Sequence, residues 1–275
     1  MPLRIAQLSD AHLSARFPRF ERNFDLLAEA VREARPGLMI ATGDLSLDGA
    51  DEEEDLRHAF ERHAALGAEW LALPGNHDVG DEPLLGGRQP VNATRVARWR
   101  GVFGAQGWVR DVPGWRLIGL DTQCLAAPEG EAQWAMLEEA IATAGARRLA
   151  LFQHKPLTEQ RLDDTAVNYW PVLPEPRTRL MALFGAHRPA FVASGHVHQH
   201  RINRQDGLLQ IWAPPIGFIV GDAWQKPLGS KLLGWMEHVL HEDGGAEHHL
   251  RLVDGLELHD IGTIPEAYGN LRPLE

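Results

Sequence analysis

Five short polar motifs carry the side chains of this sequence best suited to chemistry: Asp10-Ala11-His12, Gly43-Asp44, Gly75-Asn76-His77-Asp78, His154-Lys155-Pro156 and Gly195-His196-Val197-His198. Imidazole nitrogen together with carboxylate oxygen suits Mn, Fe, Zn or Co better than Mg or Ca. A carboxylate such as Asp44 can give one oxygen to each of two ions. Asp10, His12, Asp44, Asn76, His154, His196 and His198 are therefore enough to hold two ions and leave positions open for water and substrate. One such motif alone is ordinarily a polar loop, or a histidine satisfying a hydrogen bond. The set of five, in this order, carries the reading.

What positions them is visible in the flanking residues. Each motif directly follows an apolar run, at 3–8, 37–41, 69–73, 148–152 and 190–193, and a sixth run lies at 116–120; all read as short, well-buried strands. Side-by-side strands bring their C-terminal ends to one sheet edge, where ligands bind in open α/β folds. Helical stripes fall between the runs: Phe24, Leu27, Val31 and Ala34; Val96, Trp99 and Phe103; Trp134, Leu137 and Ile141; Leu180, Leu183 and Phe184. The acidic run from Asp51 to Asp55 opens a further helix. Beyond residue 195 the pattern changes to hairpins, RINR with LLQIW and GWMEHVLHE with HHLRLV. The expected architecture is α/β, two packed sheets with helices outside. One domain over 1–275 is expected, with 216–275 readable as a C-terminal β-hairpin extension. The Pro- and Gly-containing segments 79–92 and 157–176 are long loops, equally readable as lids or as surface connections.

The net charge of −11 opposes attraction to nucleic acid or to anionic membranes, but not to a phosphate met by bound cations. No run approaches the length of a membrane span, and the lone Cys124 cannot form an internal disulfide, so a cytoplasmic protein is expected. Neither nucleic acid nor a membrane is an expected partner, and homo-oligomerisation is left open. His238, His241, His248, His249 and His259, on or near the final hairpin, read as solvent-facing strand residues.

The pattern D-x-H, G-D, G-N-H-D, H, G-H-x-H resembles the signature of the calcineurin-like metallophosphoesterases over about residues 3 to 215. The resemblance implies a four-layer double β-sandwich flanked by helices. It assigns Asp10, His12, Asp44 and His198 to one metal and Asp44, Asn76, His154 and His196 to the other, the ions being divalent or mixed-valence Mn, Fe, Zn or Co. The phrases LSDAHL, TGDLSLDG, LPGNHD and GHVH are most similar to class III cyclic-nucleotide and glycerophosphodiester phosphodiesterases. Where close relatives often read His-His-Pro-Pro, this chain reads His154-Lys155-Pro156-Leu157. Lys155 is then either a cation on the leaving-group side or an exposed side chain.

Hydrolysis of a small phosphodiester by attack of metal-bound hydroxide follows, whether of a cyclic nucleotide, a glycerophosphodiester or a phosphonate ester. His77, outside the ligand pattern, is expected to protonate the leaving group, with Asp78 orienting an imidazole or forming the turn. The alternatives are a phosphomonoesterase, such as a protein phosphatase or nucleotidase, and a non-catalytic metal-binding scaffold. A metallo-β-lactamase-like reading of His196 to His200 is set aside, because Gln199 stands where that run needs Asp.

Overall fold

The computed structural model describes residues 1–185 and 187–274. The first part of the chain forms β1 (Leu3–Leu8), α1 (Glu21–Ala34), β2 (Leu38–Thr42), α2 (Glu53–Ala64), β3 (Trp70–Leu73), α3 (Asn76–Val79) and α4 (Ala93–Phe103). Then come β4 (Trp108–Val112), β5 (Trp115–Leu120), α5 (Glu131–Ala142), β6 (Arg148–Gln153), α6 (Pro174–Phe184) and β7 (Phe191–Ser194). The last part adds β8 (Arg201–Gln205), β9 (Leu208–Trp212), β10 (Trp235–Leu240), β11 (Ala246–Arg251) and the single turn α7 (Pro265–Tyr268).

Two mixed sheets result, ordered β11-β10-β1-β2-β3 and β4-β5-β6-β7-β9-β8. The apolar runs have no polar face because both faces of their strands are covered. Ile5, Leu38, Ile40, Leu117, Phe152 and Phe191 meet in the layer between the sheets. Their neighbours Ala6, Met39 and Ala41 turn outward onto α1, α2 and α4, and Ile118, Leu149 and Leu151 turn onto α5 and α6. This is the expected sandwich flanked by helices. Strand β4, which the sequence reading did not include, is a largely exposed edge strand antiparallel to β5. No helix among the described residues is long and apolar enough to cross a membrane.

The final hairpin corrects one expectation. Strand β10 pairs with β1 on one side and β11 on the other, inside the first sheet. His238 is consequently 0% exposed, with Phe152 and Phe191 ring centroids 5.8 and 5.5 Å away. His259 is buried as well, while His241 and His249 remain partly exposed. Polar residues occupy both faces of Trp235-Met236-Glu237-His238, so alternation alone could not say which side was covered.

Candidate metal centre

Parallel β1, β2 and β3 in one sheet and β6 and β7 in the other lead into the five motifs, and backbone hydrogen bonds stitch the loops together. Asp10 N–H donates to Gly43 O (3.1 Å), His12 N–H to Asp44 O (3.0 Å) and Gly195 N–H to His154 O (2.9 Å). His196 N–H lies 3.1 Å from both carboxylate oxygens of Asp10. Such close approach needs residues without a side chain. A Cβ on Gly75 would collide with Asp44 Oδ1 and His154 Nε2, and one on Gly195 with Ser9 Oγ and Asp10 Oδ2. Asp10, His12, Asp44, His196 and His198 all have positive φ, between 48° and 66°. Left-handed backbone at a residue with a Cβ costs of order 1–3 kcal/mol and persists where surrounding structure forces it. Of the other non-glycine described residues only Arg35 and Asp206 share it, so the strain is concentrated at the motifs.

The motif side chains form two overlapping groups. Donor atoms of Asp10, His12, Asp44 and His198 lie within 4.8 Å of one another, and so do those of Asp44, His154 and His196. Asp44 is common to both. Its Oδ2 is 3.7 Å from His12 Nε2 and 3.3 Å from His154 Nε2, while Oδ1 accepts His77 N–H at 2.9 Å. One oxygen therefore faces both groups. Asn76 adds its Oδ1, 3.3 Å from His154 Nε2.

The outward nitrogens fix the tautomers. His154 Nδ1–H donates to Thr42 O (2.8 Å), His198 Nδ1–H to Phe218 O (2.7 Å) and His196 Nε2–H to Tyr169 O (3.3 Å). Tyr268 Oη is 2.6 Å from His12 Nδ1 and 3.3 Å from Leu47 O. A carbonyl only accepts, so the phenol donates to Leu47 and receives His12 Nδ1–H. The inward nitrogens of His12, His196 and His198 are then bare lone pairs, with His12 Nε2 facing His198 Nε2 at 3.3 Å, while His154 Nε2 faces oxygens of Asn76 and Asp44. Buried lone pairs facing one another repel unless a cation lies among them. The residues fit a pair of metal ions, with second nitrogens tied to oxygen as metal-ligating histidines require.

Electrostatics set His154 apart from the other three imidazoles. Burial pushes His12, His196 and His198 down, which keeps them neutral, the form that ligates. Burial also pulls His154 down, but the charge of Asp44 and its hydrogen bond outweigh this and raise it to about 9. Asp44 is held well below the usual carboxylate range, because His154 and its other imidazole neighbours overcome the cost of burial.

The centre opens into a cavity of about 410 Å³ lined by His77, Asp81, Tyr169, Trp170, Phe218, Trp224 and Tyr268 among others. The loops 79–92 and 157–176 both contribute walls. His77 is half-buried at the cavity floor, its ring 5.0 Å from that of His12 and 4.5 Å from that of Tyr268. Asp78 contacts no imidazole through its carboxylate hydrogen bonds. It accepts from Gly75 N (2.8 Å), Leu45 N (3.2 Å), Ser46 N (2.9 Å) and Ser46 Oγ (2.6 Å), locking the Asp44 loop to the Asn76 turn. Lys155 is neither exposed nor at the cavity wall. It is fully buried, with Nζ 2.7 Å from Asp81 and 3.2 Å from Glu82. Phe218 and Tyr268 were not anticipated from sequence; they lie in 216–275, where no motif signals them.

Shared carboxylate, paired donor sets and a lined cavity together define a metal-dependent hydrolase. The chain belongs to the calcineurin-like phosphoesterase family, whose model matches residues 3–200. It is a phosphoric ester hydrolase. It is 26% identical to a probable cyclic nucleotide phosphodiesterase of Synechococcus sp., over 94% of this chain and 96% of that one. It is 28% identical to the 3',5'-cyclic adenosine monophosphate phosphodiesterase CpdA of Pseudomonas aeruginosa, over 91% and 90%. A dimetal phosphatase from Danio rerio shares the fold, with a TM-score of 0.59 at 15% identity over 92% of this chain and 98% of that one.

Proposed function

We propose that this hydrolase cleaves small phosphodiesters, cyclic nucleotides first among them, at a centre of two transition-metal ions. The observation that carries the reading is the pair of donor groups joined through Asp44 beneath an aromatic-walled cavity. Asp10, His12, Asp44 and His198 would hold one ion, and Asp44, Asn76, His154 and His196 the other. When bound, such a pair polarises phosphoryl oxygens and activates water as a nucleophile near neutral pH. The full-length similarity to phosphodiesterases supports a diester over a monoester.

The remaining groups act on the organic part of the substrate. His77 faces the cavity beside Asp44 and donates a proton to the departing oxygen, so that an alcohol leaves rather than an alkoxide. Tyr169, Trp170 and Trp224 offer flat apolar walls on which a planar base can rest. Asp78 keeps the Asp44 and Asn76 loops at one spacing and does not touch substrate. We take residues 1–275 as one domain, since β10 completes the sheet that holds β1. The reducing cytoplasm suits its single cysteine, Cys124, which is buried and free.

The test is turnover by purified protein loaded in turn with Mn, Fe, Co or Zn. Cyclic nucleotides, glycerophosphodiesters, phosphonate monoesters and phosphomonoesters are compared, with bis- and mono-p-nitrophenyl phosphate as references. A higher kcat/KM on cyclic nucleotides than on monoesters is expected. A preference for monoesters across several leaving groups, at saturating metal, would overturn the diester assignment.

A further inference from the structure

Three of the four imidazoles at the centre give their outward N–H to main-chain carbonyls, of Thr42, Phe218 and Tyr169. Side-chain substitution cannot remove those acceptors. His12 is different: its Nδ1 is held by the phenol of Tyr268, 256 residues further along the chain and outside the stretch that matches the family model. We propose that Tyr268 is a positioning residue for His12, so that docking of the C-terminal segment completes the first of the two metal positions. The proposal rests on reading Asp10, His12, Asp44 and His198 as a metal site.

Three observations support it. The hydroxyl is committed on both sides, to His12 Nδ1 at 2.6 Å and to Leu47 O at 3.3 Å, a relay with one orientation that leaves His12 Nε2 unprotonated. Phe218 covers the His12 ring, with centroids 4.4 Å apart, and Tyr268 approaches it edge-on at 5.9 Å, so rotation of the imidazole is blocked. Finally, the segment is anchored. Ile261 and Ile264 are buried with Phe20, Leu47, Phe218 and Val220, and Tyr268 and Leu271 pack on that cluster. Without the phenol, the buried Nδ1–H of His12 loses its acceptor, and the ring gains by shifting its proton to Nε2, the atom that must ligate.

Tyr268→Phe keeps the ring and removes the relay. Affinities of both ions are measured by chelator competition with Zn and with Co, together with the visible spectrum of the Co-loaded protein. Melting of the metal-free protein and the ¹⁵N tautomer signature of His12 complete the comparison. One ion is expected to weaken about 10–100-fold while the other keeps its affinity. The Co spectrum should change, and the metal-free Tm should stay within about 4 °C of wild type. His12→Ala is the control. If it loses one ion while Tyr268→Phe binds both as tightly as wild type, Tyr268 does not position His12. If His12→Ala keeps two ions, the metal-site reading itself is wrong. Equal weakening of both ions with a large fall in metal-free Tm would make Tyr268 a merely structural residue and overturn the proposal.

Discussion

Two clusters of buried or half-buried histidines among the described residues differ in what their nitrogens face. In the inter-sheet layer, His238 Nε2–H donates to Gln7 Oε1 at 3.0 Å, and its Nδ1 accepts the Nδ1–H of His248 at 2.8 Å. Every donor there has an acceptor, and no carboxylate shares the contact. At the loop edge, His12, His154, His196 and His198 give their outward N–H to oxygen and converge on Asp44 and Asp10, the lone pairs of His12 and His198 facing one another. Packed imidazoles are common to both, two in the first and four in the second. What separates a metal centre from a core pair is uncompensated lone pairs beside an anion, held by strained backbone.

The sharpest way to break the contrast is to remove that anion. Asp44→Ala turns the centre into imidazoles without a shared carboxylate. It should lose both ions and several kcal/mol of transition-state stabilisation, a fall in kcat/KM of roughly 10³-fold or more. Retention of two ions and near-normal turnover would remove Asp44 from its shared role. Metal content by atomic spectroscopy alongside kinetics decides it.

His77 belongs to neither cluster, and that can be tested separately. His77→Ala should keep both ions and lose ~10²–10⁴-fold in kcat/KM on alkyl diesters. The loss should be smaller on p-nitrophenyl diesters, whose leaving group needs less protonation. Equal losses on matched aryl and alkyl esters would instead assign His77 to a phosphoryl oxygen, and loss of metal would make it a ligand.

The smallest effect is expected at the second cluster, and it appears in stability rather than turnover. Burial lowers His248 to about 4, below its ordinary 6.5. The unfolded chain therefore takes up a proton first, and stability present above pH 6.5 is lost as pH falls toward 4. The change is up to about 3 kcal/mol. His248→Leu should flatten that limb of the urea-measured stability profile and leave metal content and kcat/KM unchanged. A metal deficit in this variant would erase the distinction between the clusters.

Much of this was legible in sequence because it is local. The run Leu38-Met39-Ile40-Ala41 is apolar throughout since its two faces meet different layers, and Gly43-Asp44 or Gly75-Asn76 carries its loop geometry in adjacent residues. Distant pairing was not legible. The burial of His238 follows from β10 joining β1, and the role of Tyr268 follows from a tail returning to His12; neither partner is marked by spacing. Lys155 was misplaced for the same reason, its fate being set by Asp81 and Glu82 from another loop.

The most direct measurement is anomalous diffraction at the absorption edge of the bound metal, on crystals of protein loaded with Mn, Co or Zn. Two peaks about 3.5–4 Å apart are predicted, flanking Asp44, one beside Asp10, His12 and His198 and the other beside Asn76, His154 and His196. No peak at Asp44, or a peak between His238 and His248 instead, would contradict the account.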